Sequence, residues 1–200
     1  MNKYNKIHEF LLMKSKKFSA LHSLIKSNGV LSIERDEISF FEFLVKTIIS
    51  QQISSKAANS IWKKIVVQSK KLNVEINELF RRKNSEEILT KIGISARKLE
   101  YLKYINKEIY SGNLREKDLK NLGIKNLKKI LKSYKGIGDW TCHMLGIFYF
   151  GQTNIWPKSD LIINKFMKTL NNDNHNLIDL EKEFSPYLSI LAIHVWKHFD

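Results

Sequence analysis

The sequence predicts an all-α fold, and three observations carry that prediction. Only two prolines and eight glycines occur in 200 residues, which disfavours a turn-dense β architecture. Leu, Ile, Lys and Glu, residues that suit long helices, are abundant. Apolar residues recur at helical spacing along most of the chain. With 43% apolar and 11% aromatic residues, the chain is also long enough and apolar enough to bury a sizeable core.

Each element follows from local pattern. The opening MNKYNKIHEFLLMKSKKF reads as an amphipathic basic segment, without the apolar region and small-residue cleavage site of a signal peptide. Between Ser39 and Val67 two helices are expected. Phe40, Phe41, Leu44 and Ile48 mark the apolar face of the first, and Ala58, Ile61, Trp62 and Ile65 that of the second. The polar break SQQISS, residues 50–55, offers Ser54 and Ser55 as N-caps. NSEEILTKIG, residues 84–93, is a short helix capped by Asn84 or Ser85 and stopped by Gly93. Ser95 caps the next, which carries Leu99, Leu102 and Ile105 on one face and stops at Gly112. IKNLKKILKSY, residues 124–134, is another, ended by Gly136. A pattern from about Leu161 to Leu170 and a C-terminal helix in PYLSILAIHVWKHF, apolar enough to be buried, complete the set. No repeat and no low-complexity linker divides the chain. One body with a cleft, or two lobes whose core crosses sequence boundaries, fits that pattern.

The charge balance names a partner class. Thirty-four Lys and Arg against 20 Asp and Glu give a formal charge of +14, far more than solubility requires. A polyanion is the expected partner, with nucleic acid ahead of an acidic membrane surface. No apolar run approaches the roughly 20 residues of a membrane span. Cys142, the single cysteine, makes no intramolecular disulfide and does not by itself ligate an iron–sulfur cluster or a structural zinc. The expected location is cytoplasmic, associated with the nucleoid if the source is prokaryotic. His194 and His198 read as packing or surface residues, since no partner set with metal spacing accompanies them.

SYKGIGDWTC, residues 133–142, concentrates two glycines around an isoleucine. A helix ending near Tyr134, the Gly-Ile-Gly turn and a helix starting near Asp139 make a helix-hairpin-helix. Gly136 and Gly138 are expected at positive φ, admitting a close backbone approach, with Ile137 plugged back into the core. Backbone N–H groups at the start of the second helix then face outward and suit a phosphate. An ordinary helical turn with a Schellman glycine is the plainer alternative. Lys125, Lys128, Lys129, Lys132 and Lys135 lie beside the turn; elsewhere they would be only a solvated basic face. Further on, Pro157 stops one segment, and Ser159 or Asp160 caps the helix that follows.

FLVKTIISQQISSKAA, then GIGDWTCHMLGIF, then PKSDLII, then ILAIHVWKH occur in an order and spacing that resemble the helix-hairpin-helix DNA glycosylase superfamily, specifically its 3-methyladenine DNA glycosylase II branch. The resemblance covers roughly residues 39–199. Two positions depart from the family pattern: Lys135 replaces a proline before the first hairpin glycine, and Ser159 replaces an acid beside Asp160. The first bears on hairpin rigidity and adds a phosphate contact.

The resemblance implies two helical lobes, residues 39–152 and residues 1–38 plus 153–200, with the active site in the cleft between them. It implies that Asp160 is the catalytic aspartate and that Trp140 and Trp196 wall the base pocket, although both indoles also suit a core. Gln52 falls where the family places the side chain that fills the gap left by a flipped nucleotide, with Gln51 beside it. Lys135, Gly136, Ile137, Gly138 and Thr141 belong to the hairpin that meets DNA. Carbonyls of Gly136 and Gly138 would hold a monovalent cation, Na or K, as in related enzymes, and no other cofactor is expected. Trp140 stands where lyase members carry a Schiff-base lysine, so the resemblance implies a monofunctional enzyme that leaves an abasic site. The implied activity is excision of alkylated purines such as 3-methyladenine and 7-methylguanine from double-stranded DNA by a monomer. Two alternatives remain open: the same fold acting on deaminated or oxidised bases, and a non-catalytic, structure-specific DNA-binding protein. Asp160 separates the last from the others, because a pure binder gains nothing from a carboxylate facing a polyanion.

Overall fold

The computed structural model describes residues 2–35, 37–172 and 179–199. Among them are thirteen α-helices and no strand: α1 (Lys3–Ser15), α2 (Ser19–Asn28), α3 (Phe40–Ser50), α4 (Ser55–Leu72), α5 (Ile76–Arg81), α6 (Ser85–Ile92), α7 (Ala96–Tyr110), α8 (Glu116–Leu119), α9 (Ile124–Leu131), α10 (Asp139–Met144), α11 (Leu161–Asn172), α12 (Leu180–Phe184) and α13 (Leu188–Phe199). A π-helical turn, Leu145–Tyr149, continues α10.

Most boundaries are set by local chemistry. Ser39 opens α3 with a capping box: its hydroxyl accepts from the Glu42 N–H at 3.3 Å, and the Glu42 carboxylate accepts from the Ser39 N–H at 2.7 Å. Ser54, rather than Ser55, caps α4, and Ser95 caps α7. Asn84 occupies the cap position of α6, but its side chain makes no capping bond. Gly93 ends α6 in the left-handed region at φ +115. Helix α9 stops at Leu131, three residues before the expected Tyr134, because Ser133 and Tyr134 donate to Ile130 and Leu131 in tighter i→i+3 turns.

Contacts divide the chain into two units, Asp36–Leu145 and Met1–Arg35 joined with Gly146–Asp200. The contiguous unit is built around α3, whose Phe40, Phe41, Phe43, Leu44, Val45, Ile48 and Ile49 are all buried. A helix apolar on so many sides must be surrounded, and α4, α5, α7 and α10 pack on it. Phe41 meets Phe80 of α5 edge to face at 5.5 Å.

In the discontinuous unit, α13 packs on α2, α11 and α12. The Asn28 amide at the end of α2 donates to the His194 carbonyl at 2.9 Å. Ser189 ties the segment leading toward Asp160 to α13: its hydroxyl donates to the Gln152 carbonyl at 2.7 Å and accepts from the Ile155 N–H at 3.0 Å. Arg35 Nε donates to the Tyr149 carbonyl at 2.9 Å. Residues 146–152, which the resemblance assigns to the 39–152 lobe, fall in the discontinuous unit, where these bonds hold them.

His194 is fully buried in that unit, and among the described residues neither of its ring nitrogens has a hydrogen-bond partner. The ring stacks on His8 at 6.0 Å. Burial, with His8 and then Lys197 adding to it, holds its pKa down at about 4.

Candidate functional site

The hairpin joins α9 to α10 through residues 132–138. Gly136 sits at φ +91, and a Cβ there would stand 2.6 Å from the Tyr101 ring, so both conformation and space require glycine. Gly138 differs from expectation: its φ of −104 and ψ of −177 are ordinary extended backbone. The turn is made at Gly136 alone, and Gly138 is exposed with open space where a Cβ would be. Ile137 is buried between them.

Electrostatics redistribute the basic residues beside the hairpin. Asp139, first in α10, pairs with Lys132 and Lys128, each at 3.0 Å. Hydrogen bonds from Lys132 and then Lys128 hold its carboxyl below the usual carboxylate range. Lys125, Lys129 and Lys135 remain exposed. Cys142 is buried and its thiol is pushed up to about 11 by burial, with Asp139 adding to it, so it is unreactive.

Gln51 is turned inward. Its Nε2 donates to the Gly136 carbonyl at 3.0 Å and to Thr141 Oγ1 at 2.9 Å. Gln51 and the buried Thr141 therefore brace the hairpin from inside, where the sequence reading set both against DNA. The same bond bears on the cation expected at the hairpin. The Gly136 carbonyl faces the Gln51 amide and the Gly138 carbonyl accepts from the Cys142 N–H at 3.1 Å. Each carbonyl oxygen keeps a second lone pair, so both bonds are compatible with the expected backbone cation. Among the described residues, no group of three or more His, Cys, Asp and Glu is placed to hold a metal.

Gln52 is exposed at φ +60, and Ile53 beside it is 40% exposed. Lys98, in the first turn of α7, donates from Nζ to the carbonyls of Ile49 at 2.9 Å and Gln51 at 2.8 Å. Trp140 is half-buried on α10.

In the other unit, Asp160 caps α11: Oδ1 accepts from the N–H groups of Ile162 at 3.0 Å and Ile163 at 3.1 Å. The same oxygen accepts from Trp196 Nε1 at 3.0 Å. Three donors thus fix the orientation of a carboxylate that is only 8% exposed. The Trp196 ring also lies against Phe148, 5.6 Å between centroids. Sequence reasoning missed the Asp160–Trp196 bond, the inward role of Gln51 and the grip of Lys98. No local pattern signals them, because their partners lie on other helices.

Comparison with known proteins identifies the family. Residues 45–187 match the model of the HhH-GPD superfamily of base excision DNA repair proteins. DNA-3-methyladenine glycosylase 1 of Schizosaccharomyces pombe is 30% identical over 167 residues, 78% of this chain and 71% of that protein. The solved structure of the 3-methyladenine DNA glycosylase from Schizosaccharomyces pombe, in complex with abasic DNA, superimposes with a TM-score of 0.80 at 27% identity, covering 96% of this chain and 95% of that one. That of the DNA-3-methyladenine glycosidase from Bacillus halodurans gives 0.73 at 26% identity, covering 92% and 86%. The chain belongs to the HhH-GPD superfamily of base excision DNA repair glycosylases.

Proposed function

We propose that this glycosylase is monofunctional and excises alkylated purines, 3-methyladenine and 7-methylguanine, from double-stranded DNA. The observation that carries the reading is the hydrogen bond from Trp196 to Asp160. It joins an electron-rich ring to an oriented carboxylate, the two groups that removal of a cationic base needs.

The chemistry follows from the substrate. A base inside a duplex must first be extruded, at a cost of a few kcal/mol. Backbone contacts by the hairpin and by Lys125, Lys129 and Lys135 offset that cost without reading sequence, and Gln52 fills the vacated space. Alkylation at N3 of adenine or N7 of guanine makes the base cationic and a good leaving group, so little acid catalysis is required. Stacking on Trp196, and on Trp140 in the same role, favours a cationic ring by about 0.5–2 kcal/mol. As the glycosidic bond breaks, positive charge grows on the deoxyribose. Asp160 stabilises that charge or orients the water that adds to the sugar. The products are the free base and an abasic site. Trp140 precedes Thr141 where a Schiff-base lysine would stand, so the strand stays intact until alkali is added.

The test is release of free 3-methyladenine and 7-methylguanine from methylated duplex, followed by chromatography. The wild type is expected to release both, and Asp160→Asn to lose release while still binding duplex. Asparagine keeps an oxygen for α11 and for Trp196, so loss of activity in that variant reports the charge and not the cap. A folded, DNA-binding wild type that releases no methylated base would remove the alkylation assignment.

A further inference from the structure

Between α3 and α4 the chain turns through Gln51, Gln52 and Ile53. Gln52 holds a left-handed conformation, φ +60, that residues other than glycine seldom adopt. Strained backbone of this kind persists only where surrounding structure imposes it. Gln51, at φ −58 and ψ 127, and Gln52 are the two central residues of a type II turn closed by the Ile53 N–H donating to the Ser50 carbonyl at 3.5 Å, and two other elements of the same unit hold that turn in place.

Lys98, the third residue of α7, reaches the C-terminal end of α3, where carbonyls lack intrahelical partners and carry the negative end of the helix dipole. Its ammonium satisfies the carbonyls of Ile49 and Gln51 together, at 2.9 and 2.8 Å. The Gln51 side chain, in turn, donates to the Gly136 carbonyl and to Thr141 Oγ1, at 3.0 and 2.9 Å. Gln51 is therefore held at its backbone by α7 and at its side chain by the hairpin, and the residue after it has little freedom. Lys98 is half-buried, and burial, with Arg97 adding to it, lowers its pKa. A lysine serving only solubility would stay in water.

We propose that Lys98 is a positioning residue that presents Gln52 to DNA, by clamping the Gln51 carbonyl to α7 while the hairpin holds the Gln51 amide. The proposal rests on the reading of Gln52 as the side chain that enters the duplex. It also makes the hairpin and the Gln52 turn one rigid body, so that gripping the backbone and filling the helix are not separate motions.

A double-mutant cycle tests it. The probe is a duplex carrying a tetrahydrofuran abasic analogue, with the matching undamaged duplex as reference, so no reading depends on base release. Lys98→Met and Gln52→Ala should each reduce the preference for the abasic duplex by about tenfold, and the double variant by about the same tenfold, since one residue acts through the other. Lys98→Arg, which can still donate to both carbonyls, should retain most of the preference. Hydrogen exchange of Lys98→Met should quicken in residues 50–54 while the other helices of the unit keep their protection. Losses that multiply to about a hundredfold overturn the proposal, as does a Lys98→Met that keeps the preference. A Gln52→Ala without effect overturns it too. Should Lys98→Met fail to fold, Lys98→Gln carries the same cycle with the same outcomes. Because the readouts are binding and exchange, an inactive wild type would count against the excision reading alone.

Discussion

Gly136 and Gly138 look equivalent in the sequence, yet their backbones make opposite demands. A methyl group at Gly136 meets both a left-handed φ and the Tyr101 ring at 2.6 Å. Gly136→Ala should therefore cost about 1–3 kcal/mol in thermal or denaturant unfolding. Gly138→Ala meets ordinary extended backbone and open space, and should leave unfolding within about 0.5 kcal/mol of the wild type. On the proposed reading of the hairpin as a phosphate grip, its effect should appear instead in weaker duplex binding. Equal destabilisation by the two substitutions would contradict the geometry. The Gly-Ile-Gly triplet does not say which glycine makes the turn; Tyr101, on a different helix, decides it. The inward bonds of Gln51 are not legible for the same reason, since its partners Gly136 and Thr141 lie 85 and 90 positions away. Asp160 was readable as a cap because its N–H donors are two and three residues on, whereas Trp196, 36 residues on, was not readable as its partner.

Helices were recovered where their determinants are local. Serine caps at 54 and 95 and the stop at Gly93 each act within a few residues, and the apolar faces of α3, α7 and α13 repeat at helical spacing. What periodicity could not show is how thoroughly α3 is enclosed. Four helices pack on it, and Leu44 has no accessible surface. Leu44→Ala should cost about 2–5 kcal/mol, read as a lower denaturant midpoint with an unchanged slope. Val67 on α4 is 64% exposed, and Val67→Ala should change stability by less than about 0.5 kcal/mol. Because α3 also supplies the Ile49 carbonyl that Lys98 grips, the Leu44 substitution should loosen the Gln52 turn as well.

Across the whole chain, acid stability is set in part by one buried group. His194 is neutral in the fold, with a pKa of about 4 against 6.5 for an ordinary histidine. Between those two values the unfolded chain binds a proton that the folded chain does not, so stability is complete above about pH 6.5 and falls as pH drops toward 4. A displacement of that size corresponds to about 3 kcal/mol. Thermal unfolding should show a declining midpoint over this window in the wild type, and His194→Phe should flatten it. A wild-type profile no steeper than that of the variant would exclude His194 as the source.

The discontinuous unit has a consequence in time. Asn28 at the end of α2 bonds to a residue 166 positions later, and α2 packs on α13. On a ribosome adding roughly 5–20 residues per second, α2 waits on the order of ten to thirty seconds for that partner. The contiguous unit has all its helices long before then. Newly made chains therefore pass through a stage with α3 to α10 available to fold and α1 and α2 still without their apolar cover. Chaperone engagement and nascent-chain proteolysis should fall on the first 35 residues at that stage.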